Sequence, residues 1–232
     1  MRELQDTRKR LGLAPGDKMA MSIETIYKKY KIIPSLQEHM LRVAAVASLI
    51  CDNFSKHLSK EDIITACLLH DMGNIIKFKL DTFPDFLGPE GLEYWENTQV
   101  EFKEKYGDNE YLASLKIAQE LQISDRILEL IQSISFLDAP DNALGEDFAK
   151  KIPEYCDDRV SPFGVVSLEQ RFMDLRKRYA HRGRSMSELE TFENAVRQME
   201  KQIFSKCRIK PEDINDETVA PVISELKNFM IK

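Results

Sequence analysis

Leu68-Leu69-His70-Asp71-Met72-Gly73 closes an unbroken apolar run, and its reading decides the rest of the chain. Ile63, Ile64, Ala66, Cys67, Leu68 and Leu69 lead into the pair, so His70 and Asp71 stand at the wall of a core. A carboxylate left there without a partner costs on the order of 3–5 kcal/mol. A cation beside Asp71 removes that cost, and its other ligands must come from elsewhere in the chain.

No part of the 232 residues alternates apolar and polar side chains for long enough to make a sheet, whereas helical periodicity recurs throughout. The predicted class is all-α, a helical bundle around one shared core. Ile23, Ile26, Tyr27 and Tyr30 mark a short helix that ends before Pro34. A longer helix follows, with Ser35 and Glu38 as a capping box and Leu36, His39, Val43, Val46, Ile50 and Phe54 on its buried face. Ser59 with Asp62 is expected to cap the helix that delivers His70 and Asp71. Further helices are predicted at 90–106, 110–121, 125–136 behind Ser124, 167–180, 187–206 behind Ser187 and Glu190, and 218–231. Residues 138–145 are expected to be a loop.

A net charge of −6 argues against a general nucleic-acid binder, which needs a surplus of Lys and Arg on its binding face. Cys51, Cys67, Cys156 and Cys207 have neither C-x-x-C nor zinc-ribbon spacing and read as reduced thiols. The apolar runs are shorter than a membrane span, and the first residues carry no hydrophobic signal region, so a cytoplasmic location is the expectation.

The chain has four histidines. His39 lies on the buried face of the long predicted helix. His57, on the same side about 27 Å further along at 1.5 Å per residue, cannot share its site. His181 sits in a basic, glycine-containing stretch. A fourth ligand would be a carboxylate on another helix, and Asp157 or Asp158, beside Tyr155 and Val160, are the candidates. Two imidazoles and two carboxylates suit one ion of Mn, Fe, Co, Ni or Zn.

These residues give the chain a resemblance to the HD-domain metal-dependent phosphohydrolases, whose signature is a histidine, a later His-Asp pair and a distant aspartate. The motifs here are His39 within Glu38-His39-Met40-Leu41-Arg42-Val43, then His70-Asp71, then Asp157 within Tyr155-Cys156-Asp157-Asp158-Arg159-Val160. The resemblance covers roughly residues 22–180. It implies His39, His70, Asp71 and Asp157 as ligands, since the family's aspartate falls two residues before the arginine. Histidines between the pair and the last aspartate, which binuclear members carry, are absent, so a single divalent metal ion is implied. Met72-Gly73-Asn74 lacks both the acidic pair of the guanosine-tetraphosphate hydrolases and the lysine of the H-D-x-G-K variant. The nearest resemblance is to single-metal nucleotidases, and the implied activity is hydrolysis of a phosphate ester, a small-molecule nucleotide above all.

Arg42, three residues after His39 and so on the same helical face, is the expected phosphate-holding residue, with Lys77 and Arg159 as further candidates. Phe83, Phe86, Tyr94, Trp95, Phe102 and Tyr106 are available to wall a base pocket, with Phe102 read as core. Arg171, Arg176, Lys177, Arg178, His181, Arg182 and Arg184 form a local basic run, read as a solvated helix face with RNA as its conceivable partner. A non-catalytic HD-like module that binds metal or nucleotide, associated with RNA metabolism, is the competing function. The expected organisation is an N-terminal arm over 1–20, the HD-type domain over 21–180, and C-terminal helices over 181–232 packed on the core or on a second copy in a homodimer.

Overall fold

The computed structural model describes residues 20–82, 87–179 and 185–232, apart from the side chains of 178 and 179. The expected arm up to residue 19, Phe83 and Phe86, and His181, Arg182 and Arg184 of the basic run lie outside the described residues. β1 (Met21–Ser22) leads into α1 (Ile23–Lys29), where the Ser22 hydroxyl accepts the Thr25 N–H. α2 (Pro34–Asn53) takes Pro34 into its first turn, a position where the missing N–H has no helical partner to lose. Ile33 is therefore the N-cap, and the expected box of Ser35 and Glu38 does not form. The same helix stops at Asn53, so His57 lies beyond it rather than on it.

α3 (Lys60–Leu69) is buried without interruption from Ile63 to Leu69. A helix apolar on all sides must be enclosed on all sides, and α3 packs on α2, on α6 (Asp125–Ser133) and on α8 (Phe148–Asp157). Ser59 occupies its N-cap position, but its side chain makes no capping bond. Between these elements run α4 (Gly91–Tyr106), α5 (Glu110–Glu120) and α7 (Ala139–Leu144). α7 replaces the loop expected at 138–145, with Pro140 in its first turn.

β2 (Val160–Ser161) and β3 (Gly164–Val165) form a minimal hairpin before α9 (Leu168–Tyr179). α10 (Met186–Phe204) is capped two residues earlier than expected, because Ser185 and Glu188 make the reciprocal capping box. α11 (Asp216–Leu226) ends earlier than the periodicity predicts: Met230 and Ile231 leave it as β4 and pair antiparallel with β1. α11 packs against α2 of its own chain, burying Val219 and Leu226. With strands of only two residues each among the described residues, the protein is all-α. None of its described helices is long and apolar enough to cross a membrane.

Candidate metal centre

α3 ends at Leu69, and His70 and Asp71 occupy the turn that follows. Three contacts hold that turn. Tyr27 Oη donates to the Leu68 carbonyl at 2.8 Å inside the core. The Asn74 N–H returns to the Asp71 carbonyl at 2.9 Å, and the Gly73 N–H donates to Ser114 Oγ at 2.9 Å. Gly73 is pressed against α5: a Cβ there would stand 2.3 Å from the Glu110 carbonyl oxygen and 2.7 Å from Ser114 N. Its φ of −89° is ordinary, so lack of space, not conformational freedom, calls for glycine.

The turn aims His70 inward. Its Nδ1 lies 2.8 Å from the Cys67 carbonyl, and since a carbonyl only accepts, Nδ1 carries the hydrogen. In the neutral ring the lone pair is then on Nε2. His39 comes from the second turn of α2, and Asp157 from the last turn of α8. Asp157 Oδ1 is 2.9 Å from His39 Nε2 and 3.5 Å from His70 Nε2. Asp71 Oδ2 is 3.7 Å from both imidazole nitrogens.

Yet His70 Nε2 and Asp157 Oδ1 are buried with no hydrogen-bond partner. Atoms this close, without hydrogen-bond geometry and converging on one point, fit a shared cation. Donors about 2.1 Å from one ion stand about 3.0–3.4 Å apart when neighbouring in an octahedral or tetrahedral shell. The observed separations of 2.9–3.7 Å fall around that range. The donor atoms of His39, His70 and Asp71 lie within 4.8 Å of one another and can hold a metal ion by themselves.

The electrostatics agree. Burial pulls the His70 imidazole down, but the Asp71 and Asp157 carboxylates and the Cys67 carbonyl outweigh it and push the pKa up to about 9. Burial drives Asp157 upward, and the close imidazoles of His39 and His70 reverse this, holding its carboxyl well below the usual carboxylate range. Asp158, one residue on, goes the other way: burial first, then the charge of Asp157, push it up to about 8 against the pull of Arg171. Glu154, one turn earlier on α8, is raised well above its ordinary value by burial and by Asp158 and Asp157, while its Oε2 accepts the Ser135 N–H at 2.7 Å.

All four converging residues face one cavity of about 910 Å³. Arg42 and Lys77 line it as well; Arg42 Nε stands 3.6 Å from Asp216 Oδ1, and Lys77 Nζ 3.5 Å from Glu110 Oε1. Arg159 is not in its wall. That guanidinium is buried and donates to the carbonyls of Val166, Pro211 and Ile214 and to Tyr155 Oη, so the expected phosphate contact at Arg159 is withdrawn. Glu38 is exposed on α2 and outside the cavity.

The expected aromatic wall is also displaced. Phe102 is in the core as expected, but Trp95 and Tyr106 are core residues too, and with Tyr94 they are absent from the cavity lining. Phe136, Phe172 and Phe192 take that place, with Phe136 and Phe192 stacked at 4.5 Å between centroids. Glu154 and Arg171 are the cavity residues that sequence reasoning overlooked. Their signals were present: Glu154 is three and four residues before the aspartate pair and so on the same side of α8. Arg171 belongs to the buried stripe Leu168, Arg171, Phe172, Leu175 of α9. Of the basic run, Arg171 is buried, Arg176 donates to both carboxylate oxygens of Glu193 at 2.6 Å, and Lys177 is exposed.

Comparison with known families gives one result. Residues 36–135 match the model of the HD domain, which takes in His39, His70 and Asp71 and ends before Asp157. No curated protein and no solved structure matches the chain. Residues 36–135 are thus similar to the HD domain, and the three residues of that stretch that converge, His39, His70 and Asp71, are of the type and in the placement to hold a metal ion.

Proposed function

We propose, from the similarity of residues 36–135 to the HD domain and from the site's geometry, that the protein is a metal-dependent phosphohydrolase whose substrate is a nucleotide, cleaved in the manner of a 5′-nucleotidase. The observation that carries this reading is the pair of buried, partnerless atoms, His70 Nε2 and Asp157 Oδ1, converging with His39 and Asp71 on an open cavity. His39, His70, Asp71 and Asp157 hold one divalent ion of the Mn, Fe, Co, Ni or Zn group. When bound, the ion supplies a water of lowered pKa and neutralises phosphoryl charge.

The chain's own groups do the remainder. The Cys67 carbonyl fixes the His70 tautomer so that Nε2 faces the cavity. Arg42, one helical turn from His39, donates N–H groups to phosphoryl oxygens in a forked arrangement, and Lys77, also in the cavity lining, adds a second positive charge. A cavity of about 910 Å³ has room for the sugar and base beyond the phosphoryl group.

The test is reconstitution. Protein stripped of metal and reloaded with Mn²⁺, Co²⁺, Ni²⁺ or Mg²⁺ is assayed against a nucleotide panel and a generic aryl phosphate. Turnover of at least one nucleotide with at least one metal is expected. Bound ion without turnover of any ester would overturn the catalytic reading in favour of a non-catalytic metal or nucleotide module.

A further inference from the structure

Among the described residues, three buried side-chain atoms have no hydrogen-bond partner: His70 Nε2, Asp157 Oδ1 and Arg171 Nε. The ion explains the first two. The third is a positive donor in the wall of the same cavity, on a side chain that is nine-tenths buried. Its nearest carboxylate is Asp174, 3.6 Å from Nη1, beyond hydrogen-bond length and leaving Nε untouched. Burying a guanidinium N–H unpaired is costly, and α9 imposes it by placing Arg171 in the stripe between Leu168 and Leu175. The position is built, since Phe172 on the next residue and Phe192 on α10 pack edge to face at 6.3 Å between centroids beside it.

Arg171 makes no ion pair with Asp71 or Asp157, in contrast to the imidazoles that crowd those carboxylates. Arg42, three residues after His39, and Lys77, six residues after Asp71, already line the same cavity. A third cation, more buried than either, is surplus to one phosphoryl group.

We propose that Arg171 is a second oxyanion subsite, and that the ligand is a phosphate ester bearing a further acidic group set apart from the phosphoryl that faces the four metal ligands. This rests on the phosphohydrolase reading for the first group only. The Arg171 N–H groups meet the second group as charge-assisted hydrogen bonds, and the neighbouring Phe172 and Phe192 flank the linker between the two.

Non-hydrolysable probes test it without reference to turnover. Metal-loaded protein is titrated calorimetrically with phosphonoacetate, 3-phosphonopropionate and 4-phosphonobutyrate, each against the alkylphosphonate of equal length. At least one member of the series is expected to bind about tenfold or more tighter than its alkyl counterpart. Arg171→Gln is expected to abolish that preference while keeping the alkylphosphonate affinity and the metal content, and Arg171→Lys to retain part of it. No preference in the wild type, a preference that survives Arg171→Gln, or an equal loss of alkylphosphonate affinity in that variant would each overturn the subsite. Should Arg171→Gln fail to fold, the wild-type series and Arg171→Lys decide. Failure of every ester to turn over would sink the catalytic reading and leave this binding preference standing or falling separately.

Discussion

The turn after α3, with Asp157 of α8 beside it, and the rest of the α8–α9 segment line one cavity, and they accommodate buried charge in different ways. At the turn, Asp71, Asp157 and two imidazoles crowd together, and His39, His70 and Asp71 are placed to hold a cation. On the other wall, Glu154 and Asp158 are driven toward the protonated form by burial, while Arg171 has a buried N–H without a partner. The adjacent aspartates make the contrast sharpest, since one helical step sends Asp157 to the imidazoles and Asp158 to a buried position where the pull of Arg171 does not offset burial. Burial penalises all of these charges; what differs is whether a metal, a proton or a ligand relieves it.

The strongest way to break that contrast is to exchange the roles of the two aspartates. Asp157→Ala is expected to lose the ion and all metal-dependent turnover, and Asp158→Ala to retain the ion, as read by elemental analysis of the purified variants. Equal metal content in both would show that the wrong carboxylate has been assigned. Next in size is Gly73→Ala, where the new Cβ meets the Glu110 carbonyl oxygen at 2.3 Å. Overpacking of this kind costs about 1–3 kcal/mol, and displacement of the His-Asp turn should weaken metal binding in parallel. A denaturant melt with a metal titration checks both effects.

The pH dependence of the metal-free protein sharpens the picture further. His70 titrates near 6.5 when unfolded and at about 9 in the fold, so the folded state binds the extra proton between these values. Its contribution to stability is full below about pH 6.5 and is lost as the pH rises through about 9. The melting temperature of metal-free protein should therefore fall over that window, whereas His70→Gln should flatten the fall. The smallest expected effect is at Tyr27→Phe, which strands the Leu68 carbonyl for a cost of about 1–2 kcal/mol. Metal content should be unchanged, and a loss of the ion would mean that the turn depends on this one bond.

Much of the turn's wall was legible in the chain. The apolar run ending in His70-Asp71 demanded a cation, histidine is scarce, and helical periodicity placed His39 on an inward face. Those signals are local, because a helix sets which of its own residues share a side. The other wall was not legible in the same way. Arg159 and Arg171 both stand in mixed apolar surroundings, yet Arg159 is taken up by carbonyls at Pro211 and Ile214, more than fifty residues later, and Arg171 is left facing the cavity. The other aromatic residues were misplaced for a similar reason: α4 turns Trp95 into the core beside Phe102, and Phe136, Phe172 and Phe192 line the cavity from the α6–α7 connection, α9 and α10.

By itself, the sequence determined the all-α class, the inward faces of the principal helices and the set of groups able to bind an ion, because periodicity and residue chemistry act over a few residues. Tertiary structure decided which arginine is spent on the frame and which is kept for a ligand, which carboxylate meets the imidazoles, and why residue 73 has no side chain. Each of those depends on atoms brought together from distant parts of the chain, where a displacement of one helical step exchanges a metal ligand for a buried acid.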